Sequence, residues 1–260
     1  MDAVAALGQR FIDNLCLLAE ILEQVGLPFA VVGASAFLLH GIDLGRTTRD
    51  LDLAVAIEGG LDAVRPLLLD AGLVSTGIEH RFKVPDGSEV DILAIDPAWT
   101  PSHEIRLADG DRIQGVGLPE AVQRSVEMAF DACRVSVAPL CLLIAVKLCA
   151  ATADDRPHDL EDACAAMQVY EETGDRRFKI DYEQFEDLRF ETAGAFLAGL
   201  DTTEMASSLT TELTEDVIGS LLETAQLTVR FANGETWRAL VLAYRKGLRK
   251  ASASSPAMEQ

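Results

Sequence analysis

Asp50 and Asp52 stand two apart at the mouth of an apolar run, Leu51-Asp52-Leu53-Ala54-Val55-Ala56-Ile57, which reads as a buried strand with one polar end. Residues i and i+2 of a strand share a face, so the two carboxylates project together while Leu51 and Leu53 point the other way. Two neighbouring anions at the edge of a core need a counter-charge. The pattern returns in Glu89-Val90-Asp91-Ile92-Leu93-Ala94-Ile95, which carries Asp91 in a second strand.

The surrounding chain supplies helices and turns around these strands. Phe11, Leu15, Leu18, Leu22 and Val25 recur at three- and four-residue steps and predict an amphipathic helix that flanks or lids the core. Leu27-Pro28-Phe29-Ala30-Val31-Val32 predicts a short strand stopped by Gly33, with residues 35–40 helical after it. A loop with Gly45, Arg46, Thr47, Thr48 and Arg49 leads to the Asp50 strand. Residues 61–71 predict a helix, and residues 81–95 a hairpin about Pro85-Asp86-Gly87.

Beyond residue 120 the periodicity becomes helical, apart from a short apolar stretch at 134–137. Helices are expected at 139–151, 159–170, 192–200, 216–232 and 235–248. The expected fold is an α/β mixed sheet flanked by helices, followed by an all-helical C-terminal domain. Its boundaries are a core at 1–130, a helical domain at 131–250 and a flexible tail at 251–260. No repeat at a fixed period is seen.

Composition narrows the function classes. With 49% hydrophobic and 25% charged residues in 260, neither a disordered chain nor a disulfide-stapled miniature fits. A formal charge of −20 excludes the broad basic footprint of a general nucleic-acid binder. The longest apolar run, residues 140–151, contains Lys147 and falls short of the roughly 20 residues that span a bilayer, so no membrane partner is expected. The N-terminus lacks the cationic flank and apolar centre of a signal peptide, and a cytoplasmic protein is expected. Five cysteines without a CxxC pair predict reduced, buried thiols.

Smaller features read as structural. His40 suits the core, and His80, His103 and His158 show no metal-ligand spacing with the cysteines. Trp99 and Trp237 suit core or interface anchors. Arg245, Lys246, Arg249 and Lys250 cluster where a helix end is expected, and cations there favour the dipole.

The acids point to phosphate chemistry. Magnesium takes oxygen ligands and is held by one or two carboxylates plus substrate phosphates. Asp50, Asp52 and Asp91 together make a candidate two-metal centre, in which one ion activates an attacking hydroxyl and the other steadies the departing oxygen. Asp91 also suits a general base. The turn Gly33-Ala34-Ser35, where a strand enters a helix, offers free N–H groups to a phosphate chain. Arg46 adds a bidentate phosphate contact, and Thr48 or Ser35 a hydroxyl.

Taken in order, Val31-Val32-Gly33-Ala34-Ser35 through His40-Gly41 and then Arg46-Thr47-Thr48-Arg49-Asp50-Leu51-Asp52 resemble the signature of the DNA polymerase beta-like nucleotidyltransferases. Within that superfamily the Arg-x-Thr-x-Asp-x-Asp run is most similar to the AbiEii-type toxins. A second stretch, Ile144-Ala145-Val146-Lys147-Leu148-Cys149-Ala150-Ala151 followed by Arg156-Pro157-His158-Asp159-Leu160-Glu161-Asp162, resembles the later motifs of those families. His158 stands where the family commonly has Lys, and Ala34 where a second Gly is common. The resemblance covers roughly residues 27–170.

It implies a magnesium-dependent transfer of a nucleoside monophosphate from a nucleoside triphosphate (NTP) to an acceptor hydroxyl. Lys147 would contact nucleotide phosphates, and Asp159 and Asp162 would face the site. Two magnesium ions, a tRNA or protein acceptor and a cognate antitoxin partner follow from the same resemblance. Two other readings stay open. The charge of −20 pulls against a large RNA and favours a cationic small molecule of the aminoglycoside type. The fold could also serve as a non-catalytic binding module, with the helical half as its interaction surface.

Overall fold

The computed structural model describes residues 7–46, 48, 50–98, 104–106, 112–131, 133–152, 156–185, 187–224 and 236–254. Trp99, His103, Thr47, Arg49 and the end of the tail, 255–260, lie outside the described residues. The chain divides into two compact units, Met1–Pro139 and Leu140–Gln260.

The first unit begins with α1 (Gln9–Gln24), β1 (Phe29–Val32), α2 (Gly33–Leu39), β2 (Leu51–Ala56) and α3 (Gly60–Asp70). The strands β3 (Val74–Ser75), β4 (Arg81–Lys83), β5 (Glu89–Ile95), β6 (Glu104–Arg106) and β7 (Arg112–Gln114) follow. It closes with α4 (Leu118–Gln123), β8 (Val126–Ala129) and β9 (Arg134–Val137). Seven of these strands form one mixed sheet in the order β3-β4-β5-β2-β1-β9-β8, and β6 pairs with β7 separately.

β1 lies antiparallel to β2 and parallel to β9, while β2 and β5 run parallel. All four residues of β1 are buried, as expected of a central strand covered on both faces. α1 buries Leu15, Leu18 and Leu22 of the expected stripe, together with Ile12, while Phe11 and Val25 are half-buried at its two ends. At its exposed start, Arg10 Nε and Asn14 Nδ2 donate to Asp86 Oδ2 at 2.6 and 3.0 Å. These bonds clasp the β4–β5 turn to the helix and hold the Asp86 carboxyl well below the usual carboxylate range.

The thiol expectation is corrected at two positions. Cys16 on α1 and Cys133 in the β8–β9 turn form a disulfide with Cα atoms 5.6 Å apart. Their separation of 117 residues hides the pairing from any sequence pattern. Cys141, Cys149 and Cys164 are free and buried as expected.

The second unit contains α5 (Leu140–Ala150), α6 (Pro157–Val169), α7 (Ala193–Met205), α8 (Ser208–Thr224) and α9 (Trp237–Ser254). Short 3₁₀ turns between Arg176 and Thr192 link α6 to α7. α7 and α9 cross with their backbones in close approach. A Cβ on Gly199 would stand 2.1 Å from the Tyr244 carbonyl oxygen, and one on Gly247 2.1 Å from that of Phe196. Arg177, buried behind α6, donates Nη2 to the carbonyls of Gln168 and Tyr170 at 2.6 Å each and so closes the helix end.

The division between units falls after β9, whereas the sequence placed it near residue 130, because β9 is an isolated apolar stretch in a helical context. α9 also continues to Ser254. The cluster Arg245 to Lys250 is therefore interior to a helix rather than at its end, and Arg245 and Arg249 pair with Glu215 on α8. Trp237 is buried, as expected. Among the described residues no helix is long and apolar enough to cross a membrane.

Candidate functional site

The sheet register sets the site. Val32 at the end of β1 pairs with Asp52 near the start of β2, Asp52 pairs with Asp91 on β5, and Asp91 pairs with Arg81 on β4. One row thus crosses four strands at a single end of the sheet. In-register neighbours share a face, so Asp52, Asp91 and Arg81 stand side by side.

Gly33 follows directly, at φ +67, and a Cβ there would lie 1.9 Å from Asp52 Oδ2. The Asp52 carboxylate therefore rests against the glycine backbone. Only a residue without a side chain allows both that contact and that φ. Asp50 is exposed just before β2.

Asp91 is gripped from its neighbouring strand. Arg81 Nε donates to Oδ1 at 2.6 Å and Nη2 donates to Oδ2 at 2.7 Å. His80 Nε2 lies 3.9 Å from Oδ2, and the His80 Nδ1 atom is buried with no hydrogen-bond partner among the described residues. The bonds to Asp91 raise the Arg81 pKa, partly opposed by burial, and the charges of Asp91, Glu89 and Asp50 add to the rise. Arg81 escaped the sequence reading, and His80 was read there only as a residue without metal-ligand spacing. The signal was nonetheless present, since counting back from the Pro85-Asp86-Gly87 turn sets Lys83 opposite Glu89 and Arg81 opposite Asp91.

The remaining expected residues divide. Ser35 is wholly buried and its Oγ donates to the Val32 carbonyl at 3.3 Å, so the hydroxyl turns into the fold rather than outward as expected. Arg46 is exposed in the loop before β2. Thr48 lines a groove of about 320 Å³ with Leu51, Val84 and Val90 against α1. Leu51 lies on the face of β2 opposite Asp52.

Lys147 and Asp159 belong to the helical unit. Lys147 on α5 is 8% exposed; its Nζ pairs with Asp159 and lies 3.1 Å from Asp162 Oδ2, both on α6. Arg156 Nε stands 2.6 Å from Asp159 Oδ2. His158 is exposed and pairs with Glu161 at 3.0 Å.

Among the described residues no three His, Cys, Asp or Glu side chains gather as a metal cluster. Asp50 and Asp52 offer the hard oxygen donors that magnesium takes, and two carboxylates plus phosphate suffice for it. Asp91 already has a cation at both oxygens. Asp50 and Asp52 are thus the residues that would hold a divalent ion, beside a carboxylate fixed by a guanidinium.

A family model described as nucleotidyl transferase AbiEii toxin, type IV TA system, matches residues 16–241. No curated protein matches the chain. Among solved structures, an antigenic nucleotidyltransferase-like protein from Paracoccidioides brasiliensis is similar at TM-score 0.40 and 17% identity, over 60% of this chain and 74% of that one. A structure from H. pylori, described as a presumed nucleotidyltransferase, is similar at TM-score 0.32 and 13% identity, over 95% and 98%.

Proposed function

Because the chain belongs to the AbiEii nucleotidyltransferase toxin family and is thereby a nucleotidyltransferase, we propose that it moves a nucleoside monophosphate from an NTP to an acceptor hydroxyl at the Asp50/Asp52/Asp91 end of the sheet. The carrying observation is the row Val32, Asp52, Asp91, Arg81, which sets two carboxylates side by side next to a glycine turn. A binding module without turnover has no need of that alignment.

In this reading the Gly33 backbone lets the triphosphate approach Asp52 closely, and Arg46 adds a charged contact to the phosphates. Magnesium, when bound at Asp50 and Asp52, supplies charge neutralisation on the phosphates and polarises the bond to be broken. Asp91 accepts the hydrogen bond of the acceptor hydroxyl and takes its proton. A carboxylate oxygen has a second lone-pair position beyond its guanidinium contact. The acceptor oxygen bonds to the α-phosphorus while the bond from that phosphorus to the bridging oxygen breaks, and pyrophosphate leaves. Nucleotide contacts by Lys147 and Asp159 rest on the motif resemblance, and loss of NTP binding in Lys147→Met is their test.

The family description supports an antitoxin partner, and a tRNA or protein acceptor rests on the motif resemblance alone. The charge of −20 favours a second reading, a cationic small-molecule acceptor drawn by an acidic surface. Incubation with each labelled NTP, magnesium and a panel of total tRNA, extract protein and aminoglycosides decides among these. Label transfer that Asp50→Ala/Asp52→Ala abolishes is the expected result. Transfer that survives the double substitution would overturn the reading.

A further inference from the structure

Asp52 and Asp91 are direct partners on adjacent parallel strands, which run about 4.8 Å apart, and like charges so placed repel. A three-carboxylate centre meets this repulsion with two divalent ions. Here a cation is already built into the row. Arg81 stands next in register and meets both Asp91 oxygens with a planar fork, a geometry a flexible ammonium does not reproduce. The fork is itself braced. Nη1 lies 3.6 Å from Glu89, and the turn that fixes the β4–β5 register is clasped to α1 through Asp86.

A metal ion at Asp91 would have to lie against this guanidinium or displace it. The 15% exposure of the Asp91 side chain leaves little water to screen the two charges. Asp50, by contrast, is exposed and reaches the same cation only through space.

We propose that Arg81 is a positioning residue that takes, at Asp91, the place of a second metal ion, so that the site binds a single divalent cation with its nucleotide at Asp50 and Asp52. The proposal rests on the nucleotidyl-transfer reading and replaces the two-ion expectation drawn from the sequence. Asp91 then acts on the acceptor hydroxyl without being a metal ligand. Arg81 acts through Asp91 and not on the substrate.

The test counts Mn²⁺ by electron paramagnetic resonance on the full chain saturated with an α,β-methylene NTP analogue. Wild type is expected to bind one Mn²⁺ per chain, and Arg81→Gln two. Asp91→Asn serves as a second variant that keeps the side-chain shape. It is expected to leave wild-type Mn²⁺ affinity unchanged, whereas loss of a true ligand or its support costs about tenfold or more. Two ions on wild type, one ion on a folded Arg81→Gln, or an affinity loss of that size in Asp91→Asn would each overturn the proposal and leave nucleotidyl transfer standing. No Mn²⁺ bound by wild type with the analogue present would overturn both.

Discussion

At Gly33 the chain combines a left-handed backbone with a carboxylate where a side chain would be. Gly33→Ala is expected to cost about 1–2 kcal/mol in stability from the backbone term. Its effect on transfer is larger, because Asp52 must move aside, and displacement of a reacting group by about 1 Å costs on the order of 100-fold. A steady-state assay beside a urea melt separates the two effects. His40 gives a pH prediction. Burial lowers its pKa from 6.5, partly offset by its 2.8 Å hydrogen bond to the Ala138 carbonyl. The unfolded chain therefore binds the His40 proton first as pH falls. The stability due to neutral His40 is full above about pH 6.5 and is lost progressively below it, by up to about 1.4 kcal/mol per unit of depression. Melts at pH 7.5 and 5.5 should show a smaller difference for His40→Gln than for wild type. Among single residues, the placement of Asp50, Asp52 and Asp91 at strand ends and of Gly33 at a strand-to-helix turn was legible, because both are local signals. Arg81 was not, because its meaning lies in the residue opposite rather than in its neighbours along the chain.

At the scale of elements, β2, β5 and most helices were legible from periodicity, and the four-residue β1 from an unbroken apolar run stopped by Gly33. β3, β6, β7 and β8 were not, since they are two to four residues long and carry neither a measurable period nor a fully apolar run. Which strands neighbour each other was also hidden. The parallel pairing of β2 with β5 spans α3, β3 and β4, and nothing local marks Asp91 as the partner of Asp52. The α7–α9 crossing yields a prediction of its own. At Gly247 the obstruction is a backbone carbonyl, which cannot rotate away as a side-chain tip can. Gly247→Val must push the helices apart and is expected to cost about 3 kcal/mol or more, the upper range for overpacking. The same change at Gly219, where the nearest atom is the far end of Arg245 at 3.9 Å, is expected to cost much less. Thermal melts of both variants make the comparison.

For the whole molecule, cysteine chemistry separates two populations. Burial pushes the Cys141 and Cys149 thiols up to about 12, so they stay protonated and unreactive at neutral pH. Iodoacetamide should label none of the free thiols in the native protein, three cysteines after denaturation and five after denaturation with reduction, read by mass spectrometry. Reduction is expected to lower stability by about 2–5 kcal/mol. The fold class was legible at this scale from the change of periodicity along the chain, while the Cys16–Cys133 bond depended on a proximity that only the folded sheet creates. That bond turns most of the first unit into a covalent ring. Gly33, Asp50, Asp52, Arg81 and Asp91 all lie on its circumference, so a protease that cuts once anywhere on the ring opens it without releasing a fragment. The two arms of the site would remain tethered, able to find each other again as parts of one molecule.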